Sequence, residues 1–148
     1  MVVATHSNVR ALCNRDRNLD DEQLIRLKNL GGYIGLFTNG NFLSLNNKNL
    51  TLKERQKEYI NHLRYIIEKI EFPTNRILVS TDDMNFSPDT SYHNKEAFPL
   101  NTIASDIHMI ITKYFNKQLA DDILINNPQN ILEQVRIKDN NSIKKRHK

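Results

Sequence analysis

The chain has only one cysteine among its 148 residues, Cys13, and this scarcity excludes an internal disulfide bond. A single thiol is typical of a protein in a reducing compartment. The sequence also lacks a run of about 18 apolar residues, which a membrane-spanning helix requires. Its first residues show no charged region followed by an apolar core, so we expect no signal peptide. These absences predict a cytoplasmic protein with no membrane partner.

Excess charge of one sign is scarce outside the C-terminal end. The formal net charge is +4 and the isoelectric point is near 9.2. Much of the excess lies in residues 144–148, which read Lys-Lys-Arg-His-Lys. Because the rest of the chain is close to neutral, the charge does not indicate a nucleic-acid-binding surface, and we expect no nucleic acid partner. The sequence also contains no P-loop, dinucleotide fingerprint or nucleophile elbow.

Short apolar runs alternate with amphipathic helical patterns along the chain. The first two helices are predicted to begin with capping boxes, in which Asp20 pairs with Gln23 and Thr51 pairs with Glu54. The order β-α-β-α-β-α-α predicts three adjacent parallel strands, in sequential order, joined by right-handed crossovers. The predicted strands are 2–5, 33–37 and 76–80, and the predicted helices after the third strand are 100–115, 118–125 and 128–135.

Leucines at helical spacing define the apolar face of the first predicted helix. Leu24, Leu27 and Leu30 recur at intervals of three residues, so all three are expected to face the core. Gly31 and Gly32 follow directly and predict the end of this helix.

Polar residues follow all three predicted strands. They are residues 6–8 (His-Ser-Asn), 38–39 (Thr-Asn) and 82–83 (Asp-Asp). Parallel strands place their C-terminal ends at one edge of the sheet, where α/β enzymes carry their chemistry. His6 and Asp82 also have structural explanations, a hydrogen-bonded histidine and an aspartate that caps the following loop, and Arg17 can be explained as a solvated loop arginine. The convergence of the three polar clusters on one rim is what favours a functional site.

Three segments resemble the zinc-dependent dipeptidase family, which includes membrane (renal) dipeptidase and its microbial relatives. Residues 5–8 read Thr-His-Ser-Asn where that family has Ser-His-Ser-Asn/Ser, and residues 17–19 read Arg-Asn-Leu where it has Arg-Asn-Leu/Val. Residues 80–85 read Ser-Thr-Asp-Asp-Met-Asn against the family's Gly-Ser-Asp-Phe-Asp-Gly. The first aspartate is kept as Asp82, Met84 replaces the second, and both glycines are absent. Residues 126–132 resemble the family's closing segment, with Asn130 expected to be a structural cap.

The resemblance implies roles for three residues. His6 would be a ligand to one of two bridged zinc ions, Arg17 would hold the free carboxylate of a bound dipeptide, and Asp82 would transfer a proton in catalysis. Arg15 is the alternative to Arg17 if the register differs by a residue or two. The family's other zinc ligands have no counterpart in this sequence, so the chain alone is expected to bind metal poorly. His62, His93 and His108 are expected to be ordinary surface or half-buried histidines.

The resemblance also implies a fold and a function. Residues 1–135 are expected to form an α/β unit, the last three strands and helices of a (β/α)8 TIM-type barrel, incomplete as a barrel. Residues 136–148 are expected to be a disordered basic tail. The expected activity is that of a metallodipeptidase in a truncated or split form, acting with a complementing N-terminal half or as a homo-oligomer. The alternative is an inactive remnant or a non-catalytic interaction module.

Overall fold

Three parallel strands form the centre of the molecule. The computed structural model describes residues 1–81, 97–98 and 102–146, with side chains described as far as residue 137. Strand β1 is Val3–Ser7, β2 is Tyr33–Phe37 and β3 is Ile77–Ser80, in the sheet order β1-β2-β3. Both neighbouring pairs are parallel. This confirms the predicted order and direction of the strands.

Helices connect the strands and continue after the third. The two predicted capping boxes are present, at Asp20 before the first helix and at Thr51 before the second. The second helix ends in a π-helical turn, Tyr65–Lys69, and another π-helical turn, Asp122–Asn126, lies between the last two helices. The α-helices are α1 Asp21–Asn29, α2 Leu52–Arg64, α3 Ile103–Tyr114, α4 Lys117–Asp121 and α5 Asn127–Arg146.

The core lies between the sheet and helices α1, α2 and α3. Every residue of the central strand β2 is buried. Leu24 and Leu27 of α1 are also buried, but Leu30 is 62% exposed, which corrects the prediction that it faces the core. The reason is local: Leu30 is the C-cap of α1, and Gly31 follows with φ of +67°, so the chain turns away there.

The C-terminal part differs from its prediction in two ways. Helix α5 runs to Arg146, beyond the predicted helix end at residue 135; neither glycine nor proline interrupts the sequence from 129 to 146. Asn130 lies inside α5 and is exposed, so it is not a cap. The anchored asparagine is Asn127, whose buried Nδ2 donates to the carbonyls of Thr74 and Ile77, each at 2.8 Å. No helix in the described ranges is long and apolar enough to cross a membrane.

Candidate functional site

The candidate site lies at the C-terminal ends of β1 and β2. His6 is the second-last residue of β1 and stands in a β-bulge, since Ala4 pairs with Ile34 but Ser7 pairs with Leu36. Its φ of +56° is in the left-handed region, which costs a residue other than glycine about 1–2 kcal/mol. Bulges next to active sites re-aim a side chain. Residue spacing gave no indication of this conformation.

Phe37, the last residue of β2, joins the two predicted site residues. The His6 ring meets it edge-on, with ring centres 5.1 Å apart and planes at 81°. The guanidinium carbon of Arg17 lies 6.0 Å from the centre of the Phe37 ring and 5.3 Å from that of Phe42. The centres of the Phe37 and Phe42 rings are 5.3 Å apart. The structure therefore brings His6 and Arg17 to one aromatic pair on one rim.

Two buried asparagines hold the loop between β1 and α1 that carries Arg17. Asn18 Oδ1 accepts from the backbone N–H of Asn8 at 3.1 Å, and Asn18 Nδ2 donates to the carbonyls of Cys13 and Phe42 at 2.8 and 2.9 Å. The Asn8 side chain donates to the Phe37 carbonyl and accepts from the Phe37 N–H, at 3.0 and 3.1 Å. Buried side-chain amides that are fully hydrogen-bonded rigidify their surroundings. Asn8 and Asn18 therefore fix the position of this loop relative to β2.

His62 of α2 is fully buried, which corrects the expectation of a surface or half-buried side chain. Its Nδ1 accepts from the backbone N–H of Val9 at 3.1 Å, and its Nε2 lies 3.0 Å from the carbonyl oxygen of Leu43. These partners require a proton on Nε2 and none on Nδ1. Burial lowers the pKa of His62 to about 4, so the ring is neutral at pH 7. The signal in the sequence was its place on the apolar stripe formed by Tyr59 and Leu63 of α2 and Ile66 of the π-helical turn that follows.

Arg15, the alternative to Arg17, has a different environment. Its Nε donates to the carbonyl of Asn41 at 3.3 Å. The thiol of Cys13 lies 3.8 Å from the same oxygen, and burial raises the pKa of that thiol. The cation–π contacts with the ring pair belong to Arg17, so the geometry favours Arg17 over Arg15 as the cation of the rim.

A metal requires more donors than this rim offers in the described residues. Asp82 and His93 lie outside them. Within residues 1–81, 97–98 and 102–137, no three His, Cys, Asp or Glu side chains are grouped so that they could hold a metal ion. A catalytic zinc ion takes three protein ligands and a water molecule. The rim contributes His6 as one imidazole, so the described residues alone do not fit a zinc centre.

Comparison with known sequences agrees with the resemblance. Residues 2–72 match the family model described as membrane dipeptidase, peptidase family M19. This segment holds β1, the Arg17 loop, β2 and α2. The "uncharacterized protein in pqqA 5'region" of Klebsiella pneumoniae is 48% identical over 42 residues, which make up 28% of this chain and 16% of that protein. The family resemblance is thereby confirmed on part of the chain.

Solved structures share the fold. A metallopeptidase from Rhodobacter sphaeroides, liganded with a phosphinate mimic of the dipeptide L-Ala-D-Ala, superposes with a TM-score of 0.63 at 22% identity, covering 88% of this chain and 35% of that one. A dipeptidase of family M19 gives 0.62 at 19% identity, covering 88% and 36%. An amidohydrolase from Pseudomonas aeruginosa gives 0.59 at 15%, covering 82% and 42%. The chain therefore spans about a third of the length of the first two.

Proposed function

Starting from the match of residues 2–72 to the membrane dipeptidase family, we propose that this chain supplies the substrate-carboxylate side of a metallodipeptidase-like hydrolase. The observation that supports this most directly is the position of Arg17, over two aromatic rings on the same rim as His6. The substrate class is the dipeptide. We also propose that the complete enzyme, of which this chain is a part, folds as a TIM-type barrel and is located in the cytoplasm.

Arg17 suits the recognition of a terminal carboxylate for chemical reasons. Its guanidinium keeps its charge at any physiological pH and offers paired N–H donors that match the two oxygens of a carboxylate. Contact with the Phe37 and Phe42 rings restricts the guanidinium before a ligand arrives, which reduces the entropy lost on binding. Arg17 is exposed to solvent, so the expected affinity for a free dipeptide is low.

This chain is proposed to supply only one ligand of the metal centre. His6 is proposed as one ligand, and zinc, as a two-zinc site, is the metal that the resemblance favours. The other ligands would come from a complementing N-terminal half, because a second copy of this chain lacks the same residues. The proton-transfer role of Asp82 stays a prediction. We assign the described residues a binding role and derive no chemical step through the metal.

A non-catalytic interaction module is the second candidate, and the outer edge of the sheet favours it. In the described part of the chain, β1 pairs with β2 alone, and Met1, Val2 and Val3 are 58%, 48% and 37% exposed. An unpaired strand edge, here with exposed apolar side chains at and before its first residue, is a template for pairing with another chain. Light scattering of the purified chain tests whether this edge pairs with a second copy: a stable homo-oligomer that survives when Arg17 is replaced supports such pairing, and a monodisperse monomer contradicts it.

The carboxylate site is tested with one dipeptide in two forms. L-Ala-D-Ala and its C-terminal amide differ only at the terminal carboxylate, and their binding is followed by NMR chemical-shift titration. The free acid is expected to shift the NMR signals of the Arg17 side chain and of the Phe42 backbone N–H. The C-terminal amide of the dipeptide is expected to leave both signals unchanged. Arg17→Gln should remove this preference, whereas the matched control Arg15→Gln should keep it. Equal binding of both forms, or an effect of Arg15→Gln alone, would contradict the proposal.

The hydrolase itself is tested by reconstitution. The chain alone is expected to show no measurable zinc-dependent dipeptide hydrolysis. Mixed with a complementing N-terminal half, it should gain activity that His6→Ala and Asp82→Asn each abolish. Activity that survives His6→Ala would remove His6 from the ligand set, and hydrolysis by the chain alone would refute the argument from missing ligands.

A further inference from the structure

His62 links the two segments of chain on which Arg17 depends. Its Nδ1 accepts from the N–H of Val9, in the loop that follows β1, and its Nε2–H donates to the carbonyl of Leu43, in the segment that follows β2. The ring lies on α2 and is fully buried. One imidazole thus ties three separate elements together at the rim.

Each end of this link is one residue away from a group that holds Arg17 or contacts it. On one side, the neighbouring Asn8 is bonded to Asn18, the residue directly after Arg17. On the other side, Leu43 directly follows Phe42, whose ring lies 5.3 Å from the Arg17 guanidinium carbon. The distance between the Val9 and Leu43 segments therefore affects the distance between Arg17 and the Phe42 ring.

We propose that His62 is a positioning residue, which holds the guanidinium of Arg17 over the Phe42 ring by bridging Val9 N–H and Leu43 C=O. The positioning role itself rests on these hydrogen bonds and on the contact of Arg17 with the Phe42 ring. Its consequence for dipeptide binding rests on the proposed function. His62 touches no substrate in this scheme, and its effect passes entirely through the two backbone segments.

Two conservative variants separate the two ends of the bridge. An asparagine amide reaches the position of Nδ1 and can replace the acceptor for Val9, whereas a glutamine amide reaches the position of Nε2 and can replace the donor to Leu43. In the wild type, the ring current of Phe42 should shift the Arg17 Nε–H resonance. If both hydrogen bonds of His62 are needed, His62→Asn and His62→Gln should each move this resonance toward its value in an unstructured chain. Each should also weaken L-Ala-D-Ala binding at least threefold.

The control is Ile66→Val, another buried position on the same helical stripe. It should lower the denaturation midpoint without moving the Arg17 resonance, which separates positioning from loss of stability. An Arg17 resonance that stays in place in both folded His62 variants would overturn the proposal. If wild-type protein binds no dipeptide but the variants still move that resonance, the proposed function fails and the positioning role stands.

A measurement on the wild type keeps the proposal testable if the variants do not fold. Long-range ¹H–¹⁵N correlation spectra report which imidazole nitrogen carries the proton. The bridge requires a proton on Nε2 and none on Nδ1. Hydrogen bonding should move the ¹⁵N chemical shifts of both nitrogens away from their values in a free imidazole. The opposite tautomer could not accept from Val9 and would refute the assignment.

Discussion

The Arg17 guanidinium lies over the Phe42 ring, with 5.3 Å between the guanidinium carbon and the ring centre. A cation–π contact at an exposed site contributes about 0.5–1 kcal/mol. We therefore expect Phe42→Leu to weaken L-Ala-D-Ala binding about 2–5-fold. Phe42→Tyr keeps an aromatic face and should bind like the wild type. The NMR titration measures both, and equal affinities for the leucine and tyrosine variants would exclude a role for the ring.

Stability should depend on pH through His62. Its pKa is lowered from 6.5 to about 4 in the folded protein, so the unfolded chain takes up a proton first as the pH falls. The free energy of unfolding should therefore decrease by about 1.4 kcal/mol per pH unit in this range, or about 3 kcal/mol between pH 6.5 and pH 4. Urea unfolding at a series of pH values measures this slope.

The matched control for this slope is His62→Gln, which has no group that titrates at this position. It should be less stable than the wild type at pH 7, and the difference between the two proteins should shrink as the pH falls to 4. A difference that stays constant over this range would show that the ring is not held neutral by burial.

The backbone at His6 allows a second stability test. Alanine and glycine both remove the contact between the His6 ring and Phe37, but alanine keeps the Cβ that disfavours a φ of +56°. His6→Gly should therefore be more stable than His6→Ala by about 1 kcal/mol. Thermal denaturation of the two variants gives the comparison directly. Greater stability of the alanine variant would mean that residue 6 does not adopt the left-handed conformation.

Gly35 lies too close to β3 to carry a side chain. A Cβ at this position would be 2.0 Å from the Ser80 hydroxyl oxygen and 3.2 Å from the Ser80 Cβ. Gly35→Ala should therefore lower the free energy of unfolding by about 1–3 kcal/mol through overpacking. Adding Ser80→Gly should recover part of the loss, because the contact disappears. Chemical denaturation of both single variants and the double variant measures this coupling, and strictly additive effects would contradict it.

Features that depend on neighbours in sequence were predictable. The capping boxes at Asp20 and Thr51 are made within four consecutive residues, and the boundaries of β2 coincide with its apolar run. The parallel order of the strands follows from the helical crossovers between them. The place of His6 near the C-terminal end of β1, beside the end of β2, also followed from this order, whereas the contact of Arg17 with the Phe37 ring was not predicted.

Features that depend on distant contacts were not predictable. The bulge at His6 arises from the register between β1 and β2, which no single segment encodes. The burial of His62 depends on the Val9 N–H and the Leu43 carbonyl, which lie in two other parts of the chain. Asn127, rather than Asn130, is the anchor because its amide reaches two carbonyls at the beginning of β3, and sequence spacing does not distinguish the two asparagines.

The left-handed backbone at His6 also predicts how natural variants should differ at this position. The conformation favours glycine, and a histidine there reduces stability. Backbone conformation alone would therefore favour glycine, and a histidine kept at this position indicates a use for its imidazole, in the contact with Phe37 or in the proposed metal site. Homologues that retain an active rim should conserve histidine at this site, and those that have lost activity should drift toward glycine or asparagine. The residue that homologues carry at this position is therefore a test, written in their sequences, of the proposed role of His6.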